Sequence, residues 1–347
     1  MTPALRILSP GLSTTVQDFG RPGFQRLGVS VGGALDSVAL RAANSLVGNP
    51  PNTGALEAVY IGPSFAVDAT DVRLSFVGAD AAIEILADAD ASHGEPVSPM
   101  RSVRVRRGQI IRVGSLRNAS TLYIAVEGGF DIEPVLGSVS TDGRARMGGW
   151  QGRALMAGDV LPLRCATATT RDEYRIDDLD LAARSRFRAV AGPQSDYFSE
   201  AEIERFFAGK YIVGAGSNRM GMRLEGPPIR HSRGFNIVSD AIATGAIQIP
   251  GNGQPIVLLA DRQTTGGYPK IATVISADLP AIGRLPIGSK ISFEPTTLEE
   301  AAAARQQLCA ALENIDDRLV RLAPPPATVG SRLLECNLIS GVHDAAA

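Results

Sequence analysis

From residue 55 to 165 the chain repeats one pattern. Short apolar runs of strand length follow one another, punctuated by Gly, Pro and Asp. Residues 72–77, 82–86, 103–105, 109–113 and 121–126 are such runs, and no helical period stands between them as parallel βαβ units would require. Strands resume at Tyr211 and continue to about Phe293. Regular short strands without crossover helices predict a mainly β protein, a sandwich or a barrel. At 347 residues the chain has length for two such units, and its 44% hydrophobic content suffices for a real core. Residues 1–180 are read as a first β lobe, 181–295 as a second, and 296–347 as a C-terminal helix and tail. The acidic stretch 172–180 is read as the linker between lobes.

Helices are few and their ends are marked. Asp36 or Ser37 caps a helix whose small stripe Ala39, Ala42, Ala43 and Leu46 suits close packing on a sheet, and Gly48-Asn49-Pro50 stops it. Ser199-Glu200-Ala201-Glu202 forms a capping box before Ile203, Phe206 and Phe207. Thr297-Leu298-Glu299-Glu300 forms another, followed by Leu308, Leu312, Ile315, Leu319 and Leu322 alternating four and three apart. That seam predicts one long helix lying on the body or, as the alternative, on a partner. After Pro324-Pro325-Pro326 an Ala-, Ser- and Gly-containing tail reads as an extended arm.

Charge and cysteine usage exclude several classes. Net charge is −2 with acids and bases interspersed, so no electrostatic footprint for nucleic acid exists. No apolar run reaches the ~18 residues that span a bilayer, and the N-terminus lacks a signal-peptide core. Cys165, Cys309 and Cys336 are scattered without C-x-x-C spacing, which predicts a reduced, cytoplasmic setting and no zinc ribbon. His93, His231 and His343 stand alone, as surface residues do, and no metal site is expected. Gly283-Arg284-Leu285-Pro286-Ile287-Gly288-Ser289-Lys290 imitates a phosphate loop but reverses its Lys and Ser and holds a proline. Gly214-Ala215-Gly216 lacks the third glycine of a dinucleotide fingerprint. A G-x-S-x-G elbow is absent. No Met-Lys-Met biotin-attachment site occurs, so any biotin carrier is another chain or domain.

What remains is chemistry on loops. Ile256-Val257-Leu258-Leu259-Ala260 is a continuous apolar run that predicts a strand buried on both faces. It delivers Asp261-Arg262-Gln263-Thr264-Thr265-Gly266-Gly267-Tyr268-Pro269-Lys270, with Asn252-Gly253-Gln254-Pro255 at its other end. One reading of such loops is a turn whose polar groups satisfy one another. The other is a binding loop on a rigid strand, where Gly266 and Gly267 admit close backbone approach. Gln, Thr and Asn offer donors and acceptors together, as recognition of amides and ureas requires. Lys270, Arg262 or Arg219 suits stabilisation of a developing oxyanion or carbamate charge. Asp261 or Asp18 suits orienting a nitrogen or taking its proton. Asp261, Gln263, Thr264, Tyr268 and Lys270 are the candidate catalytic group. Asn252, Gln254, Arg262, Thr265, Gly266, Gly267, Gln17, Asp18, Arg21, Asn218 and Arg219 are the candidate substrate-binding residues. Asn252 and Gln254 lie roughly 20 Å from the loop if the strand is fully extended. A weak internal echo, Gly148-Gly149-Trp150 against Gly266-Gly267-Tyr268, suggests related lobes.

The stretch from Gly251 to Lys270 resembles the hallmark of the allophanate hydrolase subunit 2, or KipA, family. The C subunit of bacterial 5-oxoprolinase and the carboxyltransferase region of urea carboxylase belong to it. The resemblance extends to Thr14 through Arg21, Gly32 through Asp36, Ser217-Asn218-Arg219-Met220-Gly221, Ser239-Asp240 and Asn337-Leu338-Ile339-Ser340-Gly341. It implies two cyclophilin-like β-barrel lobes and a heteromeric complex with a KipI-like partner, the B subunit, similar to allophanate hydrolase subunit 1. It also implies one of three roles. The first is ATP-dependent hydrolysis of 5-oxoproline to glutamate, with ATP used through the complex and a LamB/YcsF-like protein, the A subunit, as further partner. The second is carboxyl transfer to urea or another small acceptor from carboxybiotin on a separate carrier, served by a biotin carboxylase. The third is non-catalytic regulation.

Overall fold

The computed structural model describes residues 2–323. The C-terminal tail, with Cys336, His343 and the 337–341 part of the resemblance, lies outside the described residues. The chain is mainly β, with four α-helices among the described residues.

The first part of the chain stacks two antiparallel sheets. One contains six strands in the order Val160–Pro162, Ala4–Ser9, Ser64–Val67, Ile110–Val113, Ile83–Leu86, Glu95–Val97. The other contains seven, in the order Ser13–Gln17, Ala55–Val59, Arg117–Val126, Asp71–Asp80, Arg101–Arg106, Tyr174–Ile176, Leu319–Arg321. Leu5, Ile7, Phe65 and Ile111 of the first meet Val16, Leu56, Phe76 and Ile124 of the second in one buried core. Strand periodicity sends the alternate residues the other way. In the seven-stranded sheet Ile124 pairs with Leu56, and the next pair, Tyr123 with Glu57, faces away from that core. Tyr123 and Val77 there pack against helix α1 (Ser37–Leu46), whose N-cap is Asp36 and whose Ala39, Ala42, Ala43 and Leu46 are buried as the small stripe predicts.

The second part closes a barrel. Its strands run Arg186–Ala191, Lys270–Val274, Ala246–Gln248, Ile256–Leu258, Gly221–Glu225, Tyr211–Val213 and Lys290–Pro295. The last pairs in parallel with the first, Phe187 opposite Phe293. Phe206 of helix α2 (Glu200–Ala208) stacks on Phe293 at 5.1 Å inside that barrel. Helix α3 (Leu279–Gly283) faces α1, and helix α4 (Leu298–Glu313) starts at the expected Thr297 capping box.

Two expectations change. The 172–180 stretch is more than a linker: Tyr174–Ile176 is a sheet strand between Arg101–Arg106 and Leu319–Arg321. Its acid Glu173 accepts from Arg73 at 3.0 Å, and Arg73 also pairs with Glu127, so the acidity serves a buried cation. The leucine seam after residue 297 is also not one helix. Helix α4 ends at Glu313, Ile315–Arg318 forms a 3-10 turn that buries Ile315, and Leu319–Arg321 joins the sheet. The spacing survives across three elements: Leu308 and Leu312 face the body from α4, Ile315 from the turn and Leu319 from the strand. No described helix is long and apolar enough to cross a membrane.

Candidate active site

The strand Ile256–Leu258 runs through the barrel wall, and Asp261 stands just beyond it, where the two parts of the molecule meet. Its neighbour across the ladder is a hairpin tip. Asn218 and Gly221 exchange backbone hydrogen bonds, and the Asn218 side chain accepts from the N–H groups of Met220 and Gly221. That Asx turn presents Arg219. The Arg219 guanidinium donates Nε to Asp261 Oδ2 at 2.8 Å and Nη2 to Asp261 Oδ1 at 2.9 Å. Toward the first part of the chain it donates Nη2 to the Gly33 carbonyl at 2.6 Å and Nη1 to Glu57 Oε1 in a close contact. Four of its five N–H donors are thereby used, leaving one on Nη1.

Glu57 is fully buried and sits in the middle of a strand. Its second oxygen accepts from Tyr123 Oη at 2.5 Å and from the Leu35 N–H at 2.9 Å. Tyr123 in turn accepts from the Asp36 N–H at 2.8 Å, and Asp36 receives Arg284 of the second part at 2.7 Å. Two carboxylates of the first part thus hold two arginines of the second across one interface. Burial alone would lower the Arg219 guanidinium, but the charges of Glu57 and Asp261 more than reverse this and raise it above the ordinary value. Burial, then the charges of Glu57 and Asp36, push the Tyr123 phenol well above its usual range. The cluster is a fixed salt-bridge network in which Arg219 and Asp261 keep a slight exposure, 17% and 13%, while Glu57 has none.

Beside it lies the loop of residues 17–33. The Gly32 N–H donates to the Ala260 carbonyl at 3.2 Å. Asp18 is a structural acid: its carboxylate accepts from Ser138, Ser140, Gly20 and Val139. Gln17 donates to Thr15 and to the Thr141 carbonyl, and Arg21 donates to the carbonyls of Val135 and Ser140.

The rest of the 261–270 loop forms a second cluster. Lys270, 2% exposed, donates Nζ to Asp240 at 2.7 Å and to the Ala241 carbonyl at 3.1 Å. Gln194 donates to the same carboxylate at 3.0 Å, and these hydrogen bonds, Lys270's first, lower the Asp240 carboxyl. Thr265 and Gly266 pair with Ala241 and Asp240 in a short ladder, and the Thr264 carbonyl accepts from Ile242. The amides of Gln248 and Gln263 converge on Gly266, where a Cβ would lie 2.6 Å and 3.5 Å from their Nε2 atoms. Tyr268 is half-exposed on the rim. Arg262 is buried; it donates to the Ile242 carbonyl at 3.1 Å, and burial lowers its guanidinium.

Asn252 and Gln254 stay at the far end of the strand and do not join either cluster. Gln254 exchanges hydrogen bonds with the backbone of Gly226, and Asn252 accepts from the Gln254 N–H. There the self-satisfied turn describes the residues. The sequence echo has no backbone counterpart: Gly148 and Gly149 adopt positive φ, and Gly266 and Gly267 do not. Glu57, Tyr123, Gln194 and Gln248 are polar residues that the sequence reading did not select, and Asp240 entered it only through the resemblance. A lone carboxylate inside the apolar strand Ala55–Val59 was the available signal for the first.

A cavity of about 420 Å³ opens behind this interface, lined by Phe19, Gly32, Leu259, Ala260 and, from α4, Leu308 and Leu312. It is mostly apolar and abuts the backbone that carries Asp261.

Two β units are thus joined by buried arginine–carboxylate pairs, with an acid and a lysine at the two ends of one loop beside the junction. A family model described as carboxyltransferase domain, subdomain A and B, matches residues 27–295, and the chain belongs to that family. The chain is 39% identical over 302 residues to the C subunit of 5-oxoprolinase from Escherichia coli, spanning 87% of this chain and 94% of that one. It is 30% identical over 339 residues to urea amidolyase of Saccharomyces cerevisiae, spanning 92% of this chain but only 18% of that protein. The crystal structure of the K. lactis urea amidolyase superposes with a TM-score of 0.83 at 29% identity, covering 94% of this chain and 21% of that chain.

Proposed function

We propose that this chain is the C subunit of a heteromeric, ATP-dependent 5-oxoprolinase that opens 5-oxoproline to glutamate. The observation that carries this reading is the end-to-end likeness to the E. coli protein, at 39% identity over nearly all of both chains. The substrate is a cyclic amide. In this reading Asp261, held by Arg219, accepts the lactam N–H, and the positive charge of the Arg219 guanidinium stabilises the charge that develops on the substrate. Glu57 and the Gly33 carbonyl keep that guanidinium from turning. Lys270, oriented by Asp240, supplies a second cation at the end of the same loop.

The nucleotide belongs elsewhere in the complex. Residues 283–290 offer no phosphate cradle: the Ser289 hydroxyl donates to the Pro286 carbonyl, and Lys290 lies in a strand paired with Ile212. The KipI-like and LamB/YcsF-like proteins are the partners this reading requires. A cytoplasmic setting goes with it.

A second reading, carboxyl transfer, is favoured by the likeness to urea amidolyase. In it the amides of Gln248 and Gln263 around Gly266 would hold the ureido ring of a carrier-borne carboxybiotin, which supplies the carboxyl group. Co-purification of the chain with its partners, followed by assay with 5-oxoproline and ATP, separates the two. ATP-dependent glutamate release supports the first; a biotinylated companion with no glutamate supports the second and overturns the first.

A further inference from the structure

Helix α4 has an apolar face with too little beneath it. Of its sixteen residues Ala304 alone is buried, and Leu308, Cys309 and Leu312 are half-buried. Arg305, Leu308, Cys309 and Leu312 stand three and four apart, so they share one face of the helix. All four line the cavity of about 420 Å³, whose other walls include Phe19 and Leu35 of the first lobe and Leu259 of the barrel. A helix draws most of its stability from packing such a face, and protein interiors are close-packed. The cavity calls for an occupant that is mostly apolar.

It also calls for a negative charge. Arg41 lines it with a buried Nε that has no hydrogen-bond partner among the described residues. Arg305 donates Nε to the Cys309 sulfur at 3.3 Å and meets no described carboxylate. Against these two cations the lining holds one acid, the exposed Glu313.

The chain itself carries a segment of that composition. Residues 324–347 lie beyond the described part, and within them Leu333-Leu334 and Leu338-Ile339 flank Glu335-Cys336-Asn337, one acid among apolar neighbours. The described chain ends within reach. From Glu313, which lines the cavity, the turn Ile315–Arg318 and then residues 319–323 lead to Ala323, a path of roughly 30 Å at most. The stretch from Ala323 to Leu333 spans about 33–36 Å when extended. Pro324-Pro325-Pro326 stiffens its start and so lowers the entropy of ordering it.

We infer that the segment 333–339 of the same chain docks in this cavity, its leucines against Leu259, Leu308 and Leu312 and its Glu335 toward Arg41 and Arg305. A space walled by both lobes and by α4 is then filled by the chain's own end, which clamps the junction behind Asp261. The tether holds the segment at a high effective concentration, which favours it over the same segment of a second copy. Docking is independent of which reaction the complex carries out.

Native cysteines provide the test, since docking places Cys336 in the cavity that Cys309 lines. The full chain is treated with a short bismaleimide, and the joined peptides are identified by mass spectrometry. The expected product joins Cys309 to Cys336 within one chain. In the same unmodified chain Cys336 should react with a monofunctional maleimide at least about tenfold more slowly than the exposed Cys165, as a docked segment is shielded. The double variant Leu333→Asp, Leu338→Asp, shown folded by circular dichroism, should lose the cross-link and that protection and melt at a lower temperature. A Cys336 as reactive as Cys165 in the unmodified chain overturns the inference without any variant. So does a cross-link that persists undiminished in the folded variant, as a loose tether would give. Cross-links between chains assign the cavity to a second copy, and protection of Cys336 seen only with partner subunits present assigns the segment to a partner; either result also overturns it.

Discussion

Arg219 and Asp261, 42 positions apart, meet through two near-parallel hydrogen bonds of 2.8 and 2.9 Å. Both belong to the barrel, yet Arg219 also reaches Glu57 in the sheet pair, 162 positions away. The pair therefore links chemistry to architecture: whatever holds the two lobes together also aims the candidate acid. Asp261→Asn keeps the shape and removes the charge. The expected outcome is a fall in glutamate release of about 100-fold or more, as loss of a reacting acid or base typically gives, with the fold retained. Steady-state rates beside a circular-dichroism spectrum check it.

Glu57 touches no solvent, so its role is to compensate Arg219 and receive Tyr123. Breaking a buried pair by removing one charge costs about 3–5 kcal/mol. Glu57→Gln should lose stability on that scale in urea denaturation and lose activity with it. A variant as stable as the original would detach Glu57 from the network.

Gly283 ends helix α3 against the first lobe, where an added Cβ would stand 2.2 Å from the Leu35 carbonyl oxygen. Its φ is not positive, so alanine meets no backbone strain at that site, only the neighbour. Gly283→Ala is expected to wedge the lobes apart, costing about 1–3 kcal/mol as overpacking does. Activity should fall because Leu35 also donates to Glu57. Melting temperature and turnover measured together check this; an unchanged pair of values would show that the interface yields freely.

The Lys270 hydrogen bond, with that of Gln194, holds the Asp240 carboxyl below its ordinary value of 3.8. A depressed folded value contributes stability that is present above the unfolded value and lost as pH falls through the folded one. The stability difference between the unmodified protein and Asp240→Asn should thus be constant from neutral pH to about 5 and shrink below about 4. Denaturation at a series of pH values reads it, and a difference that persists unchanged into strong acid would contradict it.

Much of the scaffold is written locally. The Asp36 cap, the small stripe of α1, the Thr297 capping box and the alternating strands depend on neighbours a few residues away, and the chain carries those signals openly. The buried strand at 256–258 and the polar loop after it were equally legible. The site is less so, because its partners are distant in sequence. Glu57 reads as a stray acid in an apolar strand until Tyr123 pairs with it and Arg219 arrives from the barrel. Arg262 reads as a loop cation but is buried, and Gln254 reads as a ligand donor but caps the Gly226 backbone. Composition reveals which groups are available; only long-range register determines which of them meet.

The most direct test of the account is ATP-dependent glutamate release by the co-purified complex carrying Arg219→Lys, measured beside the unmodified complex. Lysine keeps the positive charge but cannot reproduce the paired donors to Asp261. The account predicts a folded complex with turnover reduced about 100-fold or more. Full turnover from the lysine variant would contradict it, because the reaction would then not depend on the Arg219–Asp261 geometry.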